Sequence, residues 1–349
     1  MAWTMPWEGD RQDRLWLAWP PSGYALGESA ETAEAAWRAW ASVANAAVEF
    51  EPVTVVVGPD DEDSARRHLS GEVERRTAPL DDAWMRDMGP TFVLDGEDGR
   101  LGAIDWIFNG WGAPDWAEWD KDADIAPFVA ALAGAEVVAS SLVNEGGGFH
   151  VDGEGTVLLT ETVQRGEGRN PQLSREEVEA ELARTLGTRS AVWLPRGLTR
   201  DYERFGTRGH VDIVAAFAAP GRILVHDQRD PAHPDHSVTA EVIETLAGAV
   251  DASGRAFELI RLPAPAQLRA PDVEGTESWT DYSYVNHVLV NGGVLACGFG
   301  DPAADDVAAG ILAEQYPGRK VVVLDARELF ARGGGIHCIT QQQPSARPA

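Results

Sequence analysis

Short runs rich in Val, Ile and Leu, bounded by Gly, Asp or Pro, alternate with helix-period stretches along the whole chain, and this alternation restricts the fold more than any other feature. The runs at 52–57, 91–94, 157–160, 211–217, 223–226, 285–290, 294–297 and 321–324 read as strands. Between them, 29–50, 123–132, 174–186, 236–246 and 302–315 carry helix patterns, and Ser174-Arg-Glu-Glu177 has the spacing of a capping box. Strands and helices interleaved in this way give a mixed α/β protein. No Pro, Ser or Gly-rich linker separates halves of different composition, so residues 1–343 read as a single domain followed by a disordered tail at 344–349. The helix spacing suggests a repeat of about 60 to 70 residues, although no self-similar motif marks one.

A chain of 349 residues, 44% hydrophobic, can bury a large core. It carries 56 acidic against 29 basic residues, a formal charge of -27, which argues against nucleic acid or an anionic membrane as partner because both need a positive face. A cationic small molecule suits that charge, and a general solubility adaptation would give the same excess. The N-terminal residues lack a basic start followed by an apolar stretch, and no run approaches the roughly 20 apolar residues of a membrane span. A cytoplasmic protein is therefore expected.

Two cysteines are too few for a disulfide framework in a chain of this size. Cys297 sits in the apolar run Gly-Gly-Val-Leu-Ala-Cys-Gly-Phe and reads as a buried, inert thiol. Cys338 follows three glycines in Gly333-Gly-Gly-Ile-His-Cys-Ile-Thr, where backbone can pass close to a ligand. On that segment alone a nucleophile and a structural thiol are equally good accounts.

In Gly209-His-Val-Asp212, strand alternation would put His210 and Asp212 on one face, and histidine suits acid and base work because it titrates near neutral pH. Taken locally, Asp87 reads as a turn or cap ahead of Gly89-Pro90, and Asp152 as the Asp-Gly of a hairpin. Glu145, before Gly146-Gly-Gly148, has no such turn role. His150 is either a ligand or a strand residue facing the core. Metal binding is not expected, since there is no Cys-x-x-Cys and no His-x-x-x-His, and His233 and His236 read as part of a polar loop. Neither triple glycine has the Gly-Lys-Ser/Thr ending or the spaced glycines of a phosphate loop.

Taken together, Trp84-Met-Arg-Asp-Met-Gly-Pro90, Glu145-Gly-Gly-Gly-Phe-His-Val-Asp-Gly-Glu-Gly-Thr156, Gly209-His-Val-Asp212 and Gly333-Gly-Gly-Ile-His-Cys-Ile-Thr-Gln-Gln-Gln-Pro344 resemble the agmatine deiminase family, close to bacterial peptidylarginine deiminases. Trp16-Leu-Ala-Trp-Pro20, Val192-Trp-Leu-Pro195, Ser283-Tyr-Val-Asn286 and Phe299-Gly-Asp-Pro302 extend the likeness over nearly the whole chain. The resemblance implies the pentein fold, an α/β propeller of about five ββαβ modules in a pseudo-fivefold ring. It implies Cys338 as nucleophile, His210 as general acid and base, Glu145 as partner to substrate or histidine, Asp87 and Asp212 as clamps for a guanidinium, and Trp84 as a pocket wall. No cofactor is implied, and a homo-oligomer is compatible with the sequence.

The activity implied is hydrolysis of agmatine to N-carbamoylputrescine and ammonia through a covalent thiouronium on Cys338, a step of putrescine and polyamine metabolism. Two carboxylates fit that chemistry because a planar guanidinium presents its N–H donors as a fork. One departure bears on the substrate. The loop before Gly209 is Thr199-Arg-Asp-Tyr-Glu-Arg-Phe-Gly-Thr-Arg208, where the family usually has acidic and Asn-rich residues. If it faces the distal end of the substrate, Arg200, Arg204 and Arg208 would repel a second cation and could pair with a carboxylate, making Arg208 a candidate substrate ligand. These arginines could equally face solvent or pair with Asp201 and Glu203. Gly148 and Ile213 also stand where serine and asparagine are common in the family. The alternatives are therefore a deiminase of a guanidino acid or arginine derivative, an amidinotransferase using the same cysteine, and a catalytically silent guanidine-binding protein.

Overall fold

Residues 3–23, 25–27, 29–266, 269–271 and 277–346 are described by the computed structural model. Five times along the chain an antiparallel strand pair is followed by a helix and a third strand that returns parallel to the second. Thr91–Asp95 and Leu101–Ile107 form one such pair, the helix Ile125–Ala133 follows, and Glu136–Val143 returns. The order recurs with Phe149–Val151, Thr156–Thr160, the helix Arg175–Leu186 and Ser190–Leu194. It recurs again with Ala215–Ala219, Arg222–Asp227, Asp235–Ala247 and Glu258–Pro263, and then with Val288–Val290, Gly293–Gly298, Pro302–Gln315 and Lys320–Asp325.

The remaining module is built from both ends of the chain. Thr340–Pro344 pairs antiparallel with Gln12–Ala18, the helix Ala30–Ala47 crosses over, and Val53–Val57 returns parallel. A parallel return needs a crossover, which is why a helical connection separates the second and third strands of every module. These are the five ββαβ modules of the expected propeller, and pairing the last strand with the first module closes the ring.

The helices also join neighbouring modules. Pro302–Gln315 lies against its own strand Lys320–Asp325 and against Glu258–Pro263 of the module before, and Ala30–Ala47 lies against Val53–Val57 and Lys320–Asp325. Val53–Val57 is buried at every position, and its sequence Val-Thr-Val-Val-Val is almost uniformly apolar for that reason. The helix ends follow local chemistry. Ser174 Oγ accepts from Glu177 N at 3.2 Å and Glu177 Oε2 accepts from Ser174 N at 2.8 Å, the reciprocal box that the spacing predicts.

Two strand expectations need correction. In 211–217 only Ala215–Ala219 pairs as a strand, and Val211–Ile213 forms a 3-10 turn. The run at 285–290 contributes only Val288–Val290. Within the expected tail, Pro344 belongs to the closing strand and Ser345 donates from N to Arg11 O at 2.8 Å and from Oγ to Asp13 at 2.6 Å. Residues 347–349 lie outside the described residues.

Candidate active site

The first strands of the five modules are each preceded by a connection from the module before, and the ends of these connections carry the polar residues of one buried cluster. Asp87 comes just ahead of Thr91–Asp95, Glu145 ahead of Phe149–Val151, His210 and Asp212 ahead of Ala215–Ala219, Asn286 ahead of Val288–Val290, and Cys338 ahead of Thr340–Pro344. Each is buried.

Asp87 neither caps nor turns. Its Oδ1 accepts from Gly147 N at 3.0 Å and its Oδ2 from Trp111 Nε1 at 2.9 Å. His210 lies between two carboxylates, with Nδ1 3.9 Å from Asp87 Oδ1 and Nε2 3.4 Å from Glu145 Oε2. Glu145 in turn receives Arg169 Nε at 3.0 and 2.9 Å, while Arg169 Nη2 donates to Thr207 O at 2.8 Å. The Cys338 thiol faces Asp212 Oδ2 at 3.5 Å, and Asn286 Nδ2 reaches the sulfur at 3.4 Å. Asp212 Oδ1 has no hydrogen-bond partner among the described residues. The 3-10 turn, not strand alternation, brings His210 and Asp212 together: Asp201 Oδ2 accepts from Gly209 N at 2.7 Å and His210 N at 2.9 Å and folds the segment back.

Charge follows from this geometry. Burial pushes Asp87 up to about 6 against the pull of His210. Burial alone would lower His210, yet Asp87 and Glu145 outweigh it and hold the imidazole at about 9, so it is an imidazolium at neutral pH. Burial also raises Glu145, but Arg169 and His210 bring it below the ordinary glutamate value. Burial, then Asp212 and Asp87, push the Cys338 thiol well above its usual range, so the resting group is protonated. Cys297 is likewise raised by burial, to about 12, which fits the inert role expected of it.

A narrow cleft reaches Cys338 and is lined by Trp84, Asp87, Trp111, Trp116, Phe205, Thr207, Arg332, Gly333 and Cys338. Trp111 stacks on Trp116 with centroids 5.9 Å apart, and Phe205 meets Trp116 edge-on at 5.1 Å. A Cβ on Gly334 would lie 2.5 Å from the Trp84 ring, so the absent side chain lets that ring lie against the loop carrying the thiol. The arginine-bearing loop reaches this cleft through Phe205 and Thr207. Arg208, the expected substrate ligand, is exposed, donates to Tyr202 O at 2.7 Å and is not among the residues lining the cleft. Arg204 lies 5.1 Å over the Phe205 ring and Arg200 lies 3.6 Å from Asp281.

Among the described residues one group has the types and closeness of metal ligands: Glu8, His150 and His337. Its hydrogen bonding does not fit a metal. Phe217 N donates to His150 Nδ1 at 3.3 Å, so the ring hydrogen is on Nε2, the atom that faces Glu8 Oε2 at 3.7 Å. His150 is thus a buried strand residue, the second of its two readings. Asp152 keeps the hairpin role read locally, accepting from Glu154 N at 2.7 Å and Thr156 N at 2.8 Å.

Comparison with known proteins bears on this cluster. The family model described as Porphyromonas-type peptidyl-arginine deiminase matches residues 4–344. The chain belongs to the agmatine deiminase family. It is 57% identical over 344 residues to a Streptomyces coelicolor protein provisionally named agmatine deiminase, with 99% of each chain covered. It is 39% identical to agmatine deiminase of Stutzerimonas stutzeri, covering 99% of this chain and 96% of that one. The solved agmatine deiminase of Enterococcus faecalis superposes with a TM-score of 0.90 at 32% identity, covering 99% of this chain and 97% of that one. Membership makes this chain a hydrolase of carbon–nitrogen bonds in amidines, on the pentein fold.

Four buried residues of the cluster were not singled out from the sequence: Arg169, Trp111, Asn286 and Arg86. Trp111 adopts a φ of 64°, a left-handed conformation unusual for a bulky residue, and the strain is consistent with the indole being held on Asp87. Within this agmatine deiminase fold, Gly147 illustrates how tightly the cluster is set. A Cβ there would lie 2.5 Å from His210 Nδ1 and 3.0 Å from Asp87 Oδ1. Gly147→Ala should displace the imidazole and lower kcat by about 100-fold, with far-ultraviolet circular dichroism unchanged, in a steady-state ammonia assay.

Proposed function

We propose that the chain hydrolyses agmatine to N-carbamoylputrescine and ammonia through a covalent Cys338 intermediate. The observation that carries this reading is Asp212 Oδ1, without a hydrogen-bond partner among the described residues and buried within a cluster that holds Asp87, Glu145 and a thiol. A buried carboxylate oxygen with no donor calls for one. A guanidinium supplies a cation and N–H groups for both Asp212 and Asp87. The flat walls of Trp84, Trp111, Trp116 and Phe205 suit a polymethylene chain and a distal ammonium, through apolar contact and cation–π attraction. Arg200 and Arg208 are engaged away from the cleft lining, with Asp281 and Tyr202 O.

In this mechanism the bound cation favours the thiolate, and the thiol proton is released. The sulfur bonds to the guanidinium carbon. His210, protonated when the cycle starts, gives its proton to one nitrogen, and the carbon–nitrogen bond breaks to release ammonia. A cationic thiouronium remains on Cys338. Neutral His210 then takes a proton from water as the oxygen bonds to the carbon, and the carbon–sulfur bond breaks to leave a ureido product. Of the two water protons, one restores His210 and the other makes good the proton lost from the thiol. Glu145 holds the imidazole in place, and Arg169 holds Glu145.

The test is ammonia release from agmatine, arginine, guanidinobutyrate, guanidinopropionate and a peptidyl arginine. Agmatine should give the highest kcat/KM. Preference for a guanidino acid would replace the substrate, a requirement for added amine would indicate amidinotransfer, and no release from any of them would overturn the deiminase reading.

The pH profile tests the roles of Asp87 and His210. Asp87 must be ionised to bind the cation, so kcat/KM should fall as pH drops through about 6. His210 must be protonated to release ammonia, so kcat/KM should fall as pH rises through about 9. A profile flat from pH 5 to pH 10 would contradict both assignments.

A further inference from the structure

The peptide from His337 to Cys338 divides two cavities. Cys338 lines the substrate cleft, whereas His337 and Asp212 line a second, small cavity with Glu8, His150, His287 and Tyr316. A chain of buried charges lines this second cavity and reaches the thiol of the cleft through Asp212, whose Oδ2 lies 3.5 Å from Cys338 Sγ. His337 Nδ1 is 2.8 Å from Asp212 Oδ2, and its Nε2 is 3.0 and 3.2 Å from the two oxygens of Glu8. Carboxylates only accept, and a neutral imidazole has one N–H to give. Both contacts are satisfied together only when the ring carries two hydrogens.

The surroundings support that state. Burial and Arg86 act to lower the imidazole pKa, yet Glu8 and Asp212 outweigh them and raise it. Burial opposes the Glu8 charge too, but His337, Arg86 and His150 hold that carboxylate well below its ordinary value. Arg86 Nη1 lies 3.2 Å from Glu8 Oε1 and 2.7 Å from Gln342 Oε1, and its Nε donates to His337 O at 3.3 Å. Of the other groups near the ring, His150 stacks on it at 6.1 Å, and burial keeps His287 down at about 4 and uncharged. The result is an alternating string of Asp212, His337, Glu8 and Arg86. It engages Asp212 Oδ2 and leaves Oδ1 for a ligand.

We propose that His337, held as an imidazolium between Glu8 and Asp212, is a positioning residue that keeps Asp212 ionised and fixes which of its oxygens meets the guanidinium. The inference deepens the deiminase reading and rests on it for the identity of the ligand. His337 acts through Asp212 and does not touch substrate. The strength of substrate binding is thereby tied to Glu8, a residue from the N-terminal segment on the far side of the partition.

The test uses the intact wild-type enzyme with His337→Asn and Glu8→Gln. Asparagine can still donate one hydrogen bond to Asp212 but carries no charge, and Glu8→Gln removes the counter-charge beyond it. Asp212 should then protonate at higher pH. In His337→Asn, KM for agmatine at pH 7 should rise about 10-fold or more, and the acid limb of kcat/KM should move up by about one pH unit and steepen, with activity recovered at higher pH. Glu8→Gln should move the limb in the same direction by a smaller amount. An unmoved acid limb with KM unchanged in Glu8→Gln would overturn the proposal, and that variant decides if His337→Asn does not fold. Nitrogen-15 spectra of the His337 ring give a readout independent of turnover. A doubly protonated ring at pH 7 in the wild type, lost in Glu8→Gln, supports the proposal. A ring with a single hydrogen at pH 7 overturns it even if the enzyme is an active deiminase, whereas absence of ammonia release by the wild type strikes only the functional reading.

Discussion

A Cys338→Ala variant is expected to lose ammonia release by about 10⁴-fold or more while still binding agmatine. The loss is large because no other nucleophile is at hand: Cys297 is buried at the far end of Asn286, donating to that residue's carbonyl at 3.1 Å, with its thiol raised to about 12. Binding should survive because Asp87 and the aromatic walls of the cleft, and Asp212 beside the thiol, are untouched. Isothermal calorimetry with the variant and ammonia assays with both enzymes check the two halves. A Cys297→Ala enzyme serves as control and should keep its activity. If Cys338→Ala retained a tenth of wild-type kcat, Cys338 would not be the nucleophile.

The result also separates a thiolate that exists at rest from one that the substrate creates. Asp212, the nearest charged group, sits 3.5 Å from the sulfur and opposes its ionisation. A guanidinium between Asp87 and Asp212 would neutralise that field. Alkylation of Cys338 in the empty wild-type site should therefore be slow at pH 7, and a haloacetamidine, which brings its own cation, should react much faster than iodoacetamide. Equal rates would mean that the thiol is already activated.

The sequence was informative where local chemistry decides the outcome. Capping at Ser174, the Asp152-Gly153 hairpin and the apolar runs that become buried strands are properties of a few neighbouring residues. It was less informative where distant segments decide. Thr340–Pro344 is Thr-Gln-Gln-Gln-Pro, a poor strand by propensity, and it pairs because Gln12–Ala18 needs a partner to close the ring. Expecting His210 and Asp212 on one strand face gave the right neighbours by the wrong route, since the turn depends on Asp201. Arg169 and Glu8 carry no local signal at all. Their partners, Glu145 and His337, come from other parts of the chain, and only folding shows that a buried carboxylate or imidazole there has to be matched. A usable signal did exist in the repeat: once the five modules are aligned, the polar residues two to five places before each first strand are candidates for the centre, and Asn286 would have been found with the others.

Collecting buried acids at one point costs stability, and Asp87→Asn should expose that cost. Asp87 titrates near 6 in the folded chain against an ordinary 3.8, because burial, Asp212 and Glu145 disfavour its charge. For an acid raised in this way the folded state holds its proton longer than the unfolded chain, so folding stability is lost as pH rises from about 4 to about 6. The shift corresponds to about 3 kcal/mol, which the asparagine variant would not lose. The new amide must set its NH₂ against a donor, either Gly147 N or Trp111 Nε1, and that costs about 1 to 3 kcal/mol at every pH. Denaturant titrations should therefore find the variant less stable than wild type near pH 4 and gaining on it by about 3 kcal/mol by pH 7. Activity should move the other way. One arm of the guanidinium clamp loses its charge, which lowers kcat/KM by roughly 100-fold or more, and His210 loses a carboxylate that holds its pKa up, so the alkaline limb should fall from about 9. A stability difference independent of pH would mean that Asp87 is ordinary in the folded chain. Opposite movements of stability and activity are the expected mark of a carboxylate kept buried for a cation that is not part of the protein.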